Sequence, residues 1–200
     1  MLRHVIPRRG RLPELHSSGR LVVLLHGTLS SPGNFAELAT ELDARGRRVI
    51  APEYGRRGTA PLNDCVAEVR SMLIDANSHL DIIGHSLGGL VGLLAADCPE
   101  LQGRIGRIIG LGACWRGVPP HSALSQMLIS RLLGRSFTDI MQPFAPVVPE
   151  GVDIVSIISS HDTSVPEYSS RLGRVIELSG VHHARIPDEV ETVCAALEEE

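Results

Sequence analysis

The 200-residue chain predicts an α/β domain: a minimal, mostly parallel sheet of about six strands with helices on both faces. Three observations predict it. Short runs of Val, Ile and Leu alternate with longer segments whose apolar residues recur at helical spacing, the pattern of βαβ units. Right-handed crossovers between such strands put helices on both sides of the sheet. Hydrophobic residues make up 43 % of the chain and charged residues 21 %, the balance of a globular domain large enough to fold without disulfides or metals. With only 3 % aromatics, the core must be aliphatic.

The elements follow in order. RLVVLLHG, 20–27, reads as the first strand. The segment 32–46 carries Phe35, Leu38, Ala39 and Leu42 at helical spacing, with Gly46 where a helix C-cap belongs. A second strand over 47–55 leads to a helix over 61–77, with Asn63 as its candidate N-cap. A strand at 80–84, a helix at 87–100 and a strand at 104–114 come next. Residues 114–151 break the rhythm. Five prolines there surround one helical stretch, 122–134, whose apolar repeat (Leu124, Met127, Leu128, Leu132, Leu133) suits a small cap or a crossover helix. Strands at 152–160 and 174–180 and an amphipathic helix from Pro187 close the chain. The expected organisation is an N-terminal arm over 1–19 and one domain over 20–200, with 114–151 as an insertion.

Charge and cysteines exclude several classes. A formal charge of −4 gives no electrostatic reason to expect nucleic acid. Arg3, Arg8, Arg9, Arg11 and Arg20 cluster near the start and read as a solvated arm. No run approaches the length of a transmembrane helix, and no apolar segment suited to export follows Met1, so a cytoplasmic protein is expected. Cys65, Cys98, Cys114 and Cys194 are scattered without a CxxC pair, which predicts reduced thiols and no metal site.

The chemistry concentrates at Gly84-His85-Ser86-Leu87-Gly88, a G-x-S-x-G between strand and helix. In parallel sheets the ligand binds beyond the carboxyl ends of the strands. A serine on a sharp turn there projects its hydroxyl above the sheet edge, and glycines at 84 and 88 relieve the crowding of neighbouring backbone. A serine hydroxyl needs a base, and the base an orienting carboxylate. In this chain order the carboxylate precedes the histidine. His182 and His183 both follow the final strand, in ELSGVHHARIPDE, whereas His121 lies in the insertion and His161 follows the penultimate strand. Asp162, shortly after that penultimate strand, is the candidate acid, with Glu167 second; Asp153 and Glu177 sit at the wrong edge and inside a strand. Two backbone N–H donors must receive the oxyanion. Leu87, after the nucleophile, supplies one, and Thr28 in LLHGTLSSPGNF the other. His26 reads as a structural histidine bonded to that loop, and His85 as packing beside the elbow.

On these residues the chain resembles the α/β-hydrolase superfamily, and within it the small bacterial triacylglycerol lipases and esterases. The matching pieces are HGTLSSPGNF, VIAPEYG, IIGHSLGG, IGLGACWRGVP, SSHDTSVP and SGVHHARIPDEV, in family order over roughly residues 21–190. The family histidine commonly follows a Gly-Val-Gly-like tripeptide; laid on Gly180-Val181-His182, this assigns the base to His183, with His182 departing from the usual glycine. The resemblance implies a serine hydrolase that cleaves carboxylic esters of short to medium acyl chain through Ser86, His183 and Asp162, without metal or organic cofactor. Its partner is then a small ester or lipid. A thioesterase or acyltransferase on the same residues is the alternative, and a non-catalytic binding fold would lack one of them. Leu29, Phe35, Trp115, Met127, Leu128, Leu132 and Val165 are the candidate pocket-lining residues.

Overall fold

A computed structural model describes residues 10–119 and 131–199. Six apolar runs form strands: β1 Leu21–Leu25, β2 Arg48–Ile50, β3 Leu80–His85, β4 Ile105–Leu111, β5 Asp153–Ser159 and β6 Arg174–Leu178. They make one sheet in the order β2-β1-β3-β4-β5-β6, and every neighbouring pair is parallel. The helices are α1 Ala36–Ala44, α2 Leu62–Asp75, α3 Leu87–Ala96, α4 Arg135–Asp139, α5 Glu167–Ser170 and α6 Val190–Glu198.

Both faces of the sheet are covered, and the two-residue period of the strand decides which side chain goes where. Leu21, Val23 and Leu25 pack with Leu73 of α2 and Leu90 of α3. Val22 and Leu24, between them, pack with Leu38 and Leu42 of α1 and with Val193 and Leu197 of α6. All five β1 residues are buried, which explains why the sequence shows a continuous apolar run there rather than alternation.

The strand order also fixes where a site can form. From β1 the chain steps outward to β2, then returns past β1 to β3. The order reverses between β1 and β3, which pair along Leu21–Leu25 and Leu80–Gly84. The loops leaving these two strands diverge from one edge and open the crevice where ligands bind in such sheets.

Gly46 ends α1 as expected, whereas several other features differ from expectation. Gly46, at φ +80, closes α1: the Arg47 amide donates to the Leu42 carbonyl and the Gly46 amide to Asp43, a Schellman arrangement. Asn63 does not cap α2. Pro61 holds the cap position, and the Leu62 amide is satisfied at 2.8 Å by the Asp139 carboxylate of α4. A distant acid thus does the work expected of the local Asn, and its charge suits the helix N-terminus. The helix after Ser86 ends at Ala96, because Pro99 disfavours helical backbone at Cys98, which is extended at φ −155. The start of the chain is only partly the solvated arm expected. Arg11 is exposed, but Leu12 and Leu15 pack on the α1/α6 layer, and the amides of His16 and Ser17 donate to Asp43 at 2.9 and 2.7 Å. Arg3, Arg8 and Arg9 lie outside the described residues. Among the described residues no helix is long and apolar enough to cross a membrane, and the four cysteines are unpaired.

Candidate active site

Ser86 stands between β3 and α3 with φ +54 and ψ −120. A non-glycine residue rarely adopts positive φ, and such strain persists only where surrounding structure over-determines it. Here the Ser86 amide donates to the Leu111 carbonyl at the end of β4 (3.0 Å), and the Ser86 carbonyl accepts from Gly89 (3.1 Å). The flanking glycines are required by close backbone approach. A Cβ at Gly88 would fall onto the Leu25 carbonyl oxygen and 2.8 Å from that of His26; one at Gly84 would meet the Gly88 carbonyl carbon at 2.5 Å. Main chain cannot yield as a flexible side chain can. Gly88→Ala is therefore expected to lower unfolding stability by about 3 kcal/mol or more, read as a fall in the urea midpoint at unchanged slope.

His183 opens a 3-10 turn, His183–Asp188, after β6. Its Nδ1–H donates to Asp162 Oδ2 at 2.7 Å. Asp162 sits three residues beyond β5, and its other oxygen, Oδ1, accepts the amides of Ser164 (2.8 Å) and Val165 (3.0 Å). Burial opposes ionisation of this carboxyl, but the His183 hydrogen bond and charge and the two amides outweigh it and hold its pKa below the usual carboxylate value. Gly112, at φ +56, leaves the room: a Cβ there would touch Asp162 Oδ2 and His183 Nδ1, each at 3.0 Å. The other acid and histidine candidates lie elsewhere. Glu167 is exposed and paired with Arg171, and His182 and His161 are exposed. His121 lies outside the described residues.

Ser86 and His183 line one cavity of about 480 Å³ together with Thr28, Leu29 and Val165. A cavity of that size is within the range of small-molecule sites. Neither the Thr28 nor the Leu87 amide donates to an acceptor among the described residues. For Leu87 this is the normal state of a first-turn helix amide.

Two further histidines frame the elbow. His26 is fully buried and stacks on Tyr54 with ring centroids 4.6 Å apart. Burial lowers its pKa, so the ring is neutral, and its Nδ1–H donates to the Gly27 carbonyl at 2.9 Å. His85 is buried too, and burial followed by the neighbouring His183 pushes its pKa down to about 3. Its Nε2–H donates to the His183 carbonyl at 3.0 Å, which ties the elbow to the loop carrying His183.

Two of the expected pocket walls are core residues instead. Phe35 is fully buried in the α1/α6 layer, on the other side of the sheet from α3. Trp115 is fully buried as well. Its indole N–H donates to Ser156 Oγ of β5 at 3.0 Å, and its ring fills the space left by Gly110 and Gly89. An indole needs both a large apolar bed and a partner for its N–H, and the sheet interior supplies both. Met127 and Leu128 lie outside the described residues, and Leu132 is 71 % exposed. The walls that sequence reasoning missed are Cys114, Val118, Phe137 and Ile140. Phe137 and Ile140 stand three apart around the short α4, a helical signal hidden by the surrounding prolines. Burial pushes the Cys114 thiol up to about 12, so it stays protonated and unreactive at neutral pH.

A parallel sheet that presents a serine on a strained strand-to-helix turn at its switch point defines the α/β-hydrolase class. The chain belongs to the alpha/beta hydrolase family, whose model matches residues 22–154. Among solved structures it is similar to an esterase from Exiguobacterium antarcticum (TM-score 0.72, 14 % identity, 92 % of this chain and 94 % of that one). It is also similar to a bromoperoxidase from Bacillus anthracis (0.71, 15 %, 92 % and 94 %) and to a monoacylglycerol lipase from Paleococcus ferrophilus (0.65, 17 %, 88 % and 91 %). At these identities the likeness is one of fold.

Proposed function

We propose that the protein is a serine hydrolase that cleaves carboxylic esters. One observation carries the reading: Ser86, on its strained elbow, shares a cavity with His183, whose Nδ1–H is held by the buried Asp162 carboxylate at 2.7 Å. With the proton fixed on Nδ1, Nε2 is the free base. In the proposed reaction Nε2 takes the Ser86 proton as Oγ attacks the ester carbonyl carbon. The oxyanion accepts the amides of Thr28 and Leu87, at the N-terminus of α3 where the helix dipole favours negative charge. Collapse expels the alcohol, which leaves with the proton from His183. Water then attacks the acyl-enzyme, giving its proton to His183, and the acid departs as Ser86 is regenerated.

The substrate class follows from the walls. Leu29, Val118, Phe137, Ile140 and Val165 offer an apolar surface for an acyl chain, and about 480 Å³ suits short to medium chains. The esterase and lipase among the similar folds support the same reading. The test is a panel of p-nitrophenyl esters from acetate to palmitate, with fluorophosphonate labelling followed by peptide mapping. The expected result is turnover peaking at or below medium chain length, with the phosphonyl group on Ser86. A label on another residue, or none on folded protein, overturns the reading.

A further inference from the structure

The turn after β2 carries an unusual backbone. Gly55, Arg56, Arg57 and Gly58 have φ of +55, +50, +66 and +68, a full left-handed turn in which two of four residues are not glycine. Left-handed conformation at consecutive residues with side chains is unfavourable, so something holds this turn in place. Its contacts lead to the loop leaving β1. The Leu29 amide donates to the Arg57 carbonyl at 2.8 Å. The Arg57 guanidinium donates back, through Nη2 to the Leu29 carbonyl and through Nε to the Ser30 carbonyl at 3.2 Å. Leu29 itself is left-handed at φ +58. A Cβ at Gly58 would stand 3.3 Å from the Gly27 oxygen, 3.3 Å from the Leu87 side chain and 3.4 Å from Thr28 Cα. The turn therefore backs onto both residues whose amides are the proposed oxyanion donors.

The insertion presses on the same turn from outside. Ser136 Oγ donates to the Gly58 carbonyl at 2.5 Å, and the Arg135 amide to the Thr59 carbonyl at 2.8 Å. Arg56, by contrast, is exposed, while Arg57 is half-buried. Two adjacent arginines on one turn thus have different surroundings.

We propose that Arg57 is a positioning residue: its guanidinium clamps the Leu29 and Ser30 carbonyls so that the Thr28 amide is aimed at the oxyanion. The inference rests on the ester-hydrolase reading. A forked, planar cation suits the task, because it reaches two neighbouring carbonyls at fixed spacing where an ammonium is a single point charge. One peptide, Thr28–Leu29, separates the Gly27–Thr28 peptide from the first clamped carbonyl, and it too is held, through the Leu29 amide on the Arg57 carbonyl. Small errors in the direction of an oxyanion donor are felt mainly in the transition state.

The test uses Arg57→Gly, since glycine favours the observed φ and removes only the side chain. Arg56→Gly on the same turn is the control, and Arg57→Lys the conservative variant. Each is assayed on p-nitrophenyl butyrate and for inhibition by an alkyl boronic acid, whose tetrahedral serine adduct requires the oxyanion donors. For Arg57→Gly, kcat is expected to fall about 10- to 100-fold with KM within about twofold, and boronate affinity to fall in parallel. Added guanidinium at millimolar concentration restores part of kcat, Arg57→Lys falls between, and Arg56→Gly matches wild type. An unchanged kcat in folded Arg57→Gly, a loss without guanidinium rescue, or an equal loss in Arg56→Gly overturns the proposal. Ser86→Ala in the same series separates the two levels. If Ser86→Ala is inactive and Arg57→Gly is unaffected, the clamp alone fails; if Ser86→Ala retains turnover, the hydrolase reading falls and the clamp with it.

Discussion

Ser86→Ala is expected to lower kcat on p-nitrophenyl butyrate by about 10⁵- to 10⁶-fold while leaving the fold intact. The hydroxyl is the only group removed. The elbow is held by its backbone, through the Ser86 amide on Leu111 and the Ser86 carbonyl under Gly89, and these bonds survive the substitution. Alanine occupies φ +54 no less readily than serine, because both carry a single Cβ. The loss amounts to about 7–8 kcal/mol of transition-state stabilisation at about 1.4 kcal/mol per decade. What survives reflects the oxyanion donors and binding, since these still favour attack by water. Steady-state kinetics together with a thermal melt check both halves. Wild-type turnover in the folded variant would put the nucleophile elsewhere.

Asp162→Asn is expected to lower kcat by about 10⁴-fold, for a reason visible in the carboxylate's surroundings. Oδ1 accepts two backbone amides, Ser164 and Val165. An asparagine must keep its oxygen on those donors, which turns its NH₂ toward His183. The imidazole then presents an unprotonated Nδ1 to the amide and carries its proton on Nε2, where it cannot accept from Ser86. The same substitution changes acid stability, with a definite sign. The folded pKa of Asp162 is depressed by the His183 hydrogen bond and the two amides, which prevail over burial. Its ionisation therefore stabilises the fold above the unfolded carboxylate value, about 3.9, and that contribution is lost as pH falls through the folded value. Urea unfolding of wild type and Asp162→Asn should show a stability gap at neutral pH that narrows below about pH 4. A gap independent of pH would mean that the carboxylate is not ionised by these contacts.

Much of the fold was legible because its signals are local. A residue facing α2 or α3 and its neighbour facing α1 or α6 are both buried along most of the inner strands, so β1, β3, β4 and β5 read as largely apolar runs, and parallel strands need helical crossovers between them. The elbow was legible in part for the same reason: the approach of Gly84 to the Gly88–Gly89 main chain is set within a few residues of Ser86, whereas Gly88 meets the Leu25 and His26 carbonyls at the end of β1, which the β1–β3 pairing brings close. The Asp162–His183 pair was legible as chain order, since the loops after β5 and β6 must emerge at one edge. The choice of His183 over His182 rests in the sequence only on the resemblance at Gly180-Val181-His182, because both histidines follow the last strand. Of the two neighbours, the backbone after β6 gives the Asp162 contact to His183 and leaves His182 exposed, and that depends on how the 3-10 turn sits on the sheet.

The chain by itself determined a mostly parallel sheet of about six strands, a serine at the carboxyl end of one of them, and the chain order of the candidate acid and histidine. That every pair is parallel, and that the serine stands where the strand order reverses, came from the tertiary structure. Tertiary structure alone decided what surrounds them. Trp115 reads as a wall from its place after β4, but a serine 41 residues away gives its N–H a partner inside the core. Phe35 reads as a candidate wall in the sequence, but the 3-10 turn Pro32–Phe35 delivers it to the opposite layer. Leu62 takes its amide partner from Asp139, 77 residues on, and the loop of Thr28 takes its clamp from Arg57. Sequence patterns report periodicity and steric demand over a few residues. Partners brought together by the closing of the sheet leave no such trace, because any residue of suitable chemistry at the right distance in space would serve.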